Sequence, residues 1–138
     1  MNLIDAIHPA AAEARHIPRV LHVDRDETSA LILSTLIVPE TQVFHAGTLG
    51  DAAVAIAGDH YDLIVLDPDL QDGDGLALIR SLRARDDHTP VLLYSARHPD
   101  LHHEAHAFLP KPWTSPRQLW QAVCFLLELD AQHEAAAA

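Results

Sequence analysis

The run Leu63-Ile64-Val65-Leu66, closed by Asp67 and Pro68, constrains this chain more than any other stretch. A short run that is apolar at every position, not at alternate ones, suits a strand buried on both faces. Pro68 cannot donate to a ladder, and Gly73 and Gly75 allow the chain to turn. Leu76 to Leu82 then resumes at helical period. Asp67 is thereby placed at the C-terminal end of a central parallel strand, the edge at which open α/β sheets bind ligands. A plain turn or cap role for this carboxylate is the simpler alternative.

The rest of the chain repeats that unit. Arg19 to Val23 reads as a first buried strand ending at Asp24, and Thr28 to Ile37 as a helix stopped by Pro39. Asp26 or Glu27 suits that helix's N-terminus. Gln42 to Ala46 is a second strand, and Asp51 is expected to cap a helix that Gly58 ends. The Asp67 strand is third, and the helix after Gly75 runs to about Arg85. Pro90 to Ser95 is a fourth strand, and Ala107 to Pro110 a fifth at the sheet's edge, where proline is tolerated. Thr114 is expected to cap a last helix from Arg117 to about Leu129. Five strands alternating with helices predict an α/β, flavodoxin-like doubly wound parallel sheet of order 2-1-3-4-5. The expected organisation is an N-terminal extension over 1–18, one domain over 19–130 and a C-terminal tail over 131–138, its last residues, Ala135 to Ala138, all small.

Composition narrows the function. A chain of 138 residues, 49% of them hydrophobic, is long enough for one domain with a core. The formal net charge of −11 argues against direct nucleic-acid binding, which needs a basic surface. The single cysteine, Cys124, fits a reducing compartment, no stretch is apolar enough to span a bilayer, and the N-terminus lacks the basic region and apolar core of a secretory signal. A cytoplasmic location without membrane contact is the expectation.

The strands would bring Asp24, Arg25 and Asp26, then Asp67 and Asp69, then Ser95, then Lys111 (the only lysine) to one edge. Clustered carboxylates repel unless a cation intervenes, and Mg²⁺ suits oxygen ligands of this kind. A carboxylate can itself be a nucleophile, and a nearby hydroxyl and ammonium can hold a phosphoryl group. The constellation points to phosphoryl transfer onto Asp67.

With these motifs in this order, the chain resembles the receiver domain of two-component response regulators over about Arg19 to Leu129. The resemblance rests on Val23-Asp24, on Leu66-Asp67 with Asp72-Gly73-Asp74-Gly75, on Ser95-Ala96, and on Phe108 before Lys111-Pro112-Trp113. It implies a non-enzymatic signalling protein that takes a phosphoryl group on Asp67 from a histidine kinase or phosphotransfer protein. Asp24, Asp67 and the backbone carbonyl of Asp69 would ligate Mg²⁺, and Lys111 would pair with Asp67 and then with phosphoryl oxygens. Ser95 and Phe108 would be the switch pair that remodels a protein-binding surface for a downstream protein or a homodimer.

Three departures stand against this pattern. Arg25 occupies a position that usually carries a second acid, where a cation opposes Mg²⁺. Asp26 or Asp69 could compensate through a shifted site, or the guanidinium could replace the metal. The stretch between Ser95 and Phe108 is short, so its helix is expected to be truncated or lost. Gln71 stands where proline is common, and Pro68 follows the acceptor directly. The alternative class is therefore a phosphorylation-independent pseudo-receiver acting as a protein-interaction module. A flavin nucleotide binder fits poorly, because the loops after the first and third strands carry acids. His98, His102 and His106 share helical spacing that can bind a metal, although surface histidines usually do not.

Overall fold

The five strands expected from the sequence form one parallel sheet: β1 Arg19–Val23, β2 Gln42–Ala46, β3 Leu63–Leu66, β4 Val91–Ser95 and β5 Ala107–Pro110. The structure is a computed structural model; it describes residues 17–37, 40–97, 105–111 and 114–137, with side chains in the last stretch described as far as 128. The spatial order is β2-β1-β3-β4-β5, the predicted doubly wound order. Every residue of β3 is buried, as an all-apolar central strand requires. Its neighbours set the register: Val23 lies opposite Leu66, so β1 and β3 end level, and Leu66 lies opposite Leu93, so β4 runs two residues further, to Ser95.

Four helices are described: α1 Glu27–Ile37, α2 Leu49–Gly58, α3 Leu76–Ala84 and α4 Pro116–Ala137. On one face of the sheet Leu33 and Ile37 of α1 and Leu119, Val123 and Leu126 of α4 cover Val20, Val65 and Leu92. On the other, Ala52 of α2 and Leu78, Ile79 and Leu82 of α3 cover Leu21, Ile64 and Leu93. Alternating side chains of the strands feed the two layers. Cys124 is half-buried, and burial, with Glu128 and Glu40, pushes its thiol pKa up.

Caps decide where the helices begin, and two differ from the sequence reading. Thr48, not Asp51, caps α2: its Oγ1 accepts the Asp51 N–H at 3.0 Å. Asp72 reaches across to accept the Leu49 and Gly50 N–H groups at 2.8 and 2.9 Å, and these bonds lower its carboxyl pKa. Thr114 donates to the Pro110 carbonyl, and Ser115 instead caps α4 in a reciprocal pair with Gln118. The expected tail from 131 is continuous with α4, which runs to Ala137. A two-residue antiparallel ladder, Asp69–Leu70 with Gly73–Asp74, follows β3 and was not predicted. The shortened helix expected between β4 and β5, with His98 and His102, falls mainly on residues outside those described. His106 is described, and its Nδ1 accepts the Val91 N–H at 3.1 Å, which ties it to the sheet.

Candidate functional site

Three elements converge at the C-terminal edge of the sheet. β1 delivers Asp24, β3 delivers Asp67, and the turn after β5 delivers Lys111, whose N–H donates to the Ser95 carbonyl at 2.9 Å. Asp67 is locked beside β1 by its own N–H, which donates to the Val23 carbonyl at 2.8 Å. Lys111 Nζ then lies 2.5 Å from Asp24 Oδ2 and 3.1 Å from Asp67 Oδ2. One ammonium thus bridges two carboxylates. Its other side faces the Tyr94 ring, 5.0 Å from the centroid.

The two carboxylates differ in access. Asp24 is fully buried, whereas the Asp67 side chain keeps 13% of its surface exposed. Asp24 Oδ1 accepts the Asp26 N–H at 2.9 Å, and Asp67 Oδ1 accepts the Asp69 N–H at 3.0 Å. Burial alone would raise the Asp24 pKa, but His22, Lys111 and the Asp26 N–H outweigh it, so the group is held below the usual carboxylate range. Burial would likewise lower the Lys111 pKa, but the two carboxylates raise it. Tyr94 is pushed up by burial, with Asp24 adding to the effect and Lys111 opposing it.

The remaining predicted residues are arranged around this centre. Ser95 is buried at the end of β4, and its Oγ accepts the Arg97 N–H at 3.2 Å. Phe108 is partly buried against the α2–α3 core layer. Arg25 points to the rim, where its Nη2 stands 3.5 Å from Asp69 Oδ2, both side chains about half exposed. Asp26 faces α1: its carboxylate accepts the Thr28 N–H at 2.9 Å and the Ser29 hydroxyl at 3.1 Å. A cavity of about 320 Å³ opens at the opposite edge, lined by Ile56, Tyr61, Leu82 and Asp87 among others. Two of its polar groups are bonded within the fold, Asp87 by Thr89 and the Ile56 carbonyl by Arg85.

The residues missed from sequence are His22 and His45. His22 has no exposed surface, and its Nε2 stands 3.4 Å from Asp24 Oδ2, outside hydrogen-bond geometry. His45 Nε2 donates to the Asp24 backbone carbonyl at 2.7 Å. The signal for His22 was its two-residue spacing from Asp24 in a strand, which puts both side chains on one face.

Burial lowers the His22 pKa against the pull of Asp24, with Lys111 and His45 adding to the drop. The unfolded chain therefore binds a proton here, near pH 6.5, that the folded chain refuses. Stability attributable to this group is full above that pH and is lost as pH falls below it, by up to about 1.4 kcal/mol per pH unit. Urea unfolding at pH 7.5 and 5.5 should show a smaller acid loss in His22→Val than in the parent; equal losses would refute the assignment.

Comparison with known proteins places this geometry. Residues 20–124 match the family model described as the response regulator receiver domain. The chain belongs to that family. It is accordingly a signalling module of two-component systems and not a catalytic enzyme. It is 36% identical over 111 residues to protein PetR of Rhodobacter capsulatus, covering 74% of this chain and 45% of that protein. It is 44% identical over 52 residues to the transcriptional regulatory protein PmrA of Pectobacterium parmentieri, covering 38% of this chain and 23% of that one. The chain thus spans less than half the length of either curated relative. The signal receiver domain of a Luxo repressor protein from Vibrio parahaemolyticus superposes with a TM-score of 0.81 at 25% identity, covering 88% of this chain and 98% of that one. The receiver domain of Francisella response regulator 1452 gives 0.72 at 27% identity, covering 80% and 97%.

Receiver domains partner with histidine kinases and typically bind Mg²⁺. The residues of this receiver fit that ion poorly. Mg²⁺ needs several free oxygen ligands in near-octahedral array. Here both Asp24 oxygens already accept protein donors, and the Asp26 carboxylate is spent on α1. Arg25 adds a positive charge where a further carboxylate would help. Among the described residues no three His, Cys, Asp or Glu side chains are grouped to hold a metal ion. No helix of the described residues is long and apolar enough to cross a membrane.

Proposed function

We propose that this receiver accepts a phosphoryl group on Asp67 from a phosphohistidine of a histidine kinase or phosphotransfer protein. The observation that carries the reading is the Asp67 carboxylate itself, partly open to solvent yet 3.1 Å from the Lys111 ammonium. A buried carboxylate such as Asp24 cannot meet a partner's phosphohistidine; Asp67 can. Its oxygen forms a bond to phosphorus as the phosphorus–nitrogen bond breaks, and the imidazole nitrogen leaves with its electron pair. Lys111 balances the charge that arrives. Ser95 then meets the phosphoryl oxygens and Phe108 repacks behind it, so the surface around β5 and α4 changes for a downstream protein or a second copy. A cytoplasmic setting follows from that partnership.

The test is intact mass after incubation with acetyl phosphate and Mg²⁺. The parent should gain one phosphoryl group, and Asp67→Asn should gain none. A second reading, a phosphorylation-independent interaction module, draws on Asp24, already bonded within the protein at both oxygens, and on Arg25 at the rim. It predicts no mass gain in either protein.

A further inference from the structure

We infer that phosphoryl transfer onto Asp67 in this chain needs no divalent cation, because Lys111 and Arg25 supply the positive charge that the site requires. The inference rests on the acceptor reading above and goes beyond it by naming what neutralises the phosphoryl group.

The argument begins with charge. Asp24 and Asp67 carry two negative charges, and one ammonium bridges them at 2.5 and 3.1 Å. A phosphoryl group on Asp67 replaces its carboxylate charge with about two on the phosphoryl oxygens. That excess needs a second cation. The ordinary source, a divalent ion, finds few free ligands here: Asp24 is buried with a protein donor on each oxygen, and Asp26 caps α1. Arg25 is the cation at hand. It follows Asp24 directly, and its guanidinium lies against Asp69, two residues beyond Asp67.

The present hold on Arg25 is weak. The contact to Asp69 is 3.5 Å long between side chains 51% and 47% exposed, and an exposed pair of this kind contributes little. Turning from that carboxylate to a phosphoryl group gives a planar fork of N–H donors a better acceptor, in the paired geometry that guanidinium forms with phosphate. Asp69 keeps its backbone bond to Asp67 meanwhile, so the loop needs no rearrangement for the guanidinium to move. With acetyl phosphate as donor, the Asp67 oxygen–phosphorus bond forms as the acetyl oxygen–phosphorus bond breaks. Acetate leaves with the electron pair, and no proton or metal enters the balance.

The experiment uses the whole chain, acetyl phosphate, and either EDTA or Mg²⁺, followed by intact mass. Mg²⁺ binding is measured separately by calorimetry without donor. The parent should incorporate phosphoryl at rates within about twofold in the two buffers and show no saturable Mg²⁺ binding. Arg25→Gln should slow incorporation in EDTA by about tenfold, the loss of one charge-assisted contact. Arg25→Asp should bind Mg²⁺ directly and incorporate only when it is present. Incorporation by the parent that is lost in EDTA and restored by Mg²⁺, or saturable Mg²⁺ binding by the parent, would overturn the inference while leaving Asp67 as acceptor. No incorporation in either buffer would overturn the acceptor reading and this inference with it.

Discussion

Lys111→Met is expected to lower the unfolding free energy by about 3 kcal/mol at pH 7, the lower end of the range for breaking a buried ion pair by removing one partner. The lower end applies because the Lys111 side chain keeps 15% of its surface exposed, which lets water soften the loss. What makes the loss large is the partner left behind. Asp24 is fully buried, and in the variant its Oδ2 faces only His22, whose pKa burial lowers. Two consequences distinguish this from simple loss of packing. Asp24→Asn in the same chain should recover more than half of the deficit, since a neutral amide needs no cation. The deficit should also shrink as pH falls toward 4. In the parent the Asp24 pKa is held below its unfolded value, so its stabilisation is present above that value and fades as pH drops through the folded one. In the variant Asp24 takes up its proton earlier, and a neutral Asp24 costs less to bury. Urea melts of the parent, the single variants and the double variant across pH 4 to 8 measure all of this. A pH-independent deficit, or no recovery in the double variant, would show that Lys111 acts through its aliphatic stem instead.

Gly75→Ala is expected to cost about 2 kcal/mol and to disturb Asp67 from a distance. A β-carbon on Gly75 would stand 2.8 Å from Pro68 Cα, 3.1 Å from Leu66 Cδ1 and 3.3 Å from Leu70 Cδ1. Two of these neighbours are flexible side-chain ends, but the first is backbone and cannot rotate away. The same segment is pinned by the Gly75 and Leu70 N–H groups, which both donate to the Pro68 carbonyl, at 2.8 and 3.0 Å. Relief therefore moves Pro68, and with it the carboxylate one residue earlier; overpacking of this size costs about 1–3 kcal/mol. Gly58→Ala is the control. No atom lies within 4 Å of its added β-carbon, and as the last residue of α2 it should gain up to about 1 kcal/mol. Thermal melts of both variants, with the phosphorylation rate of each, check the contrast. A Gly75→Ala protein as stable and as reactive as the parent would refute the steric account.

Strand identity and order were legible in the chain itself. The all-apolar run at Leu63 to Leu66 has one stable use, a strand covered on both faces, and the turn residues after it set where it ends. From that run and its repeats come the parallel sheet, the edge that gathers Asp24, Asp67 and Lys111, and the resemblance that the family match supports. These properties are local: periodicity and turn chemistry are written in neighbouring residues.

Cap assignment was less legible, because several residues near each helix start can cap it. Thr48 displaced Asp51 because Asp51 already lies within the first turn, and Asp72 joined from 22 residues beyond Gly50. Only the tertiary structure could decide how the polar groups of the edge divide their partners. Asp24 and Asp26 are equal in sequence, yet one is sealed against Lys111 and the other is turned to the start of α1. Arg25 lies on the rim by Asp69, and His22 is shut in beneath Asp24. Hydrogen bonds and ion pairs are satisfied by whatever the fold brings within about 3 Å, and a one-dimensional pattern of carboxylates does not say which will be filled by the protein and which remain open to a partner.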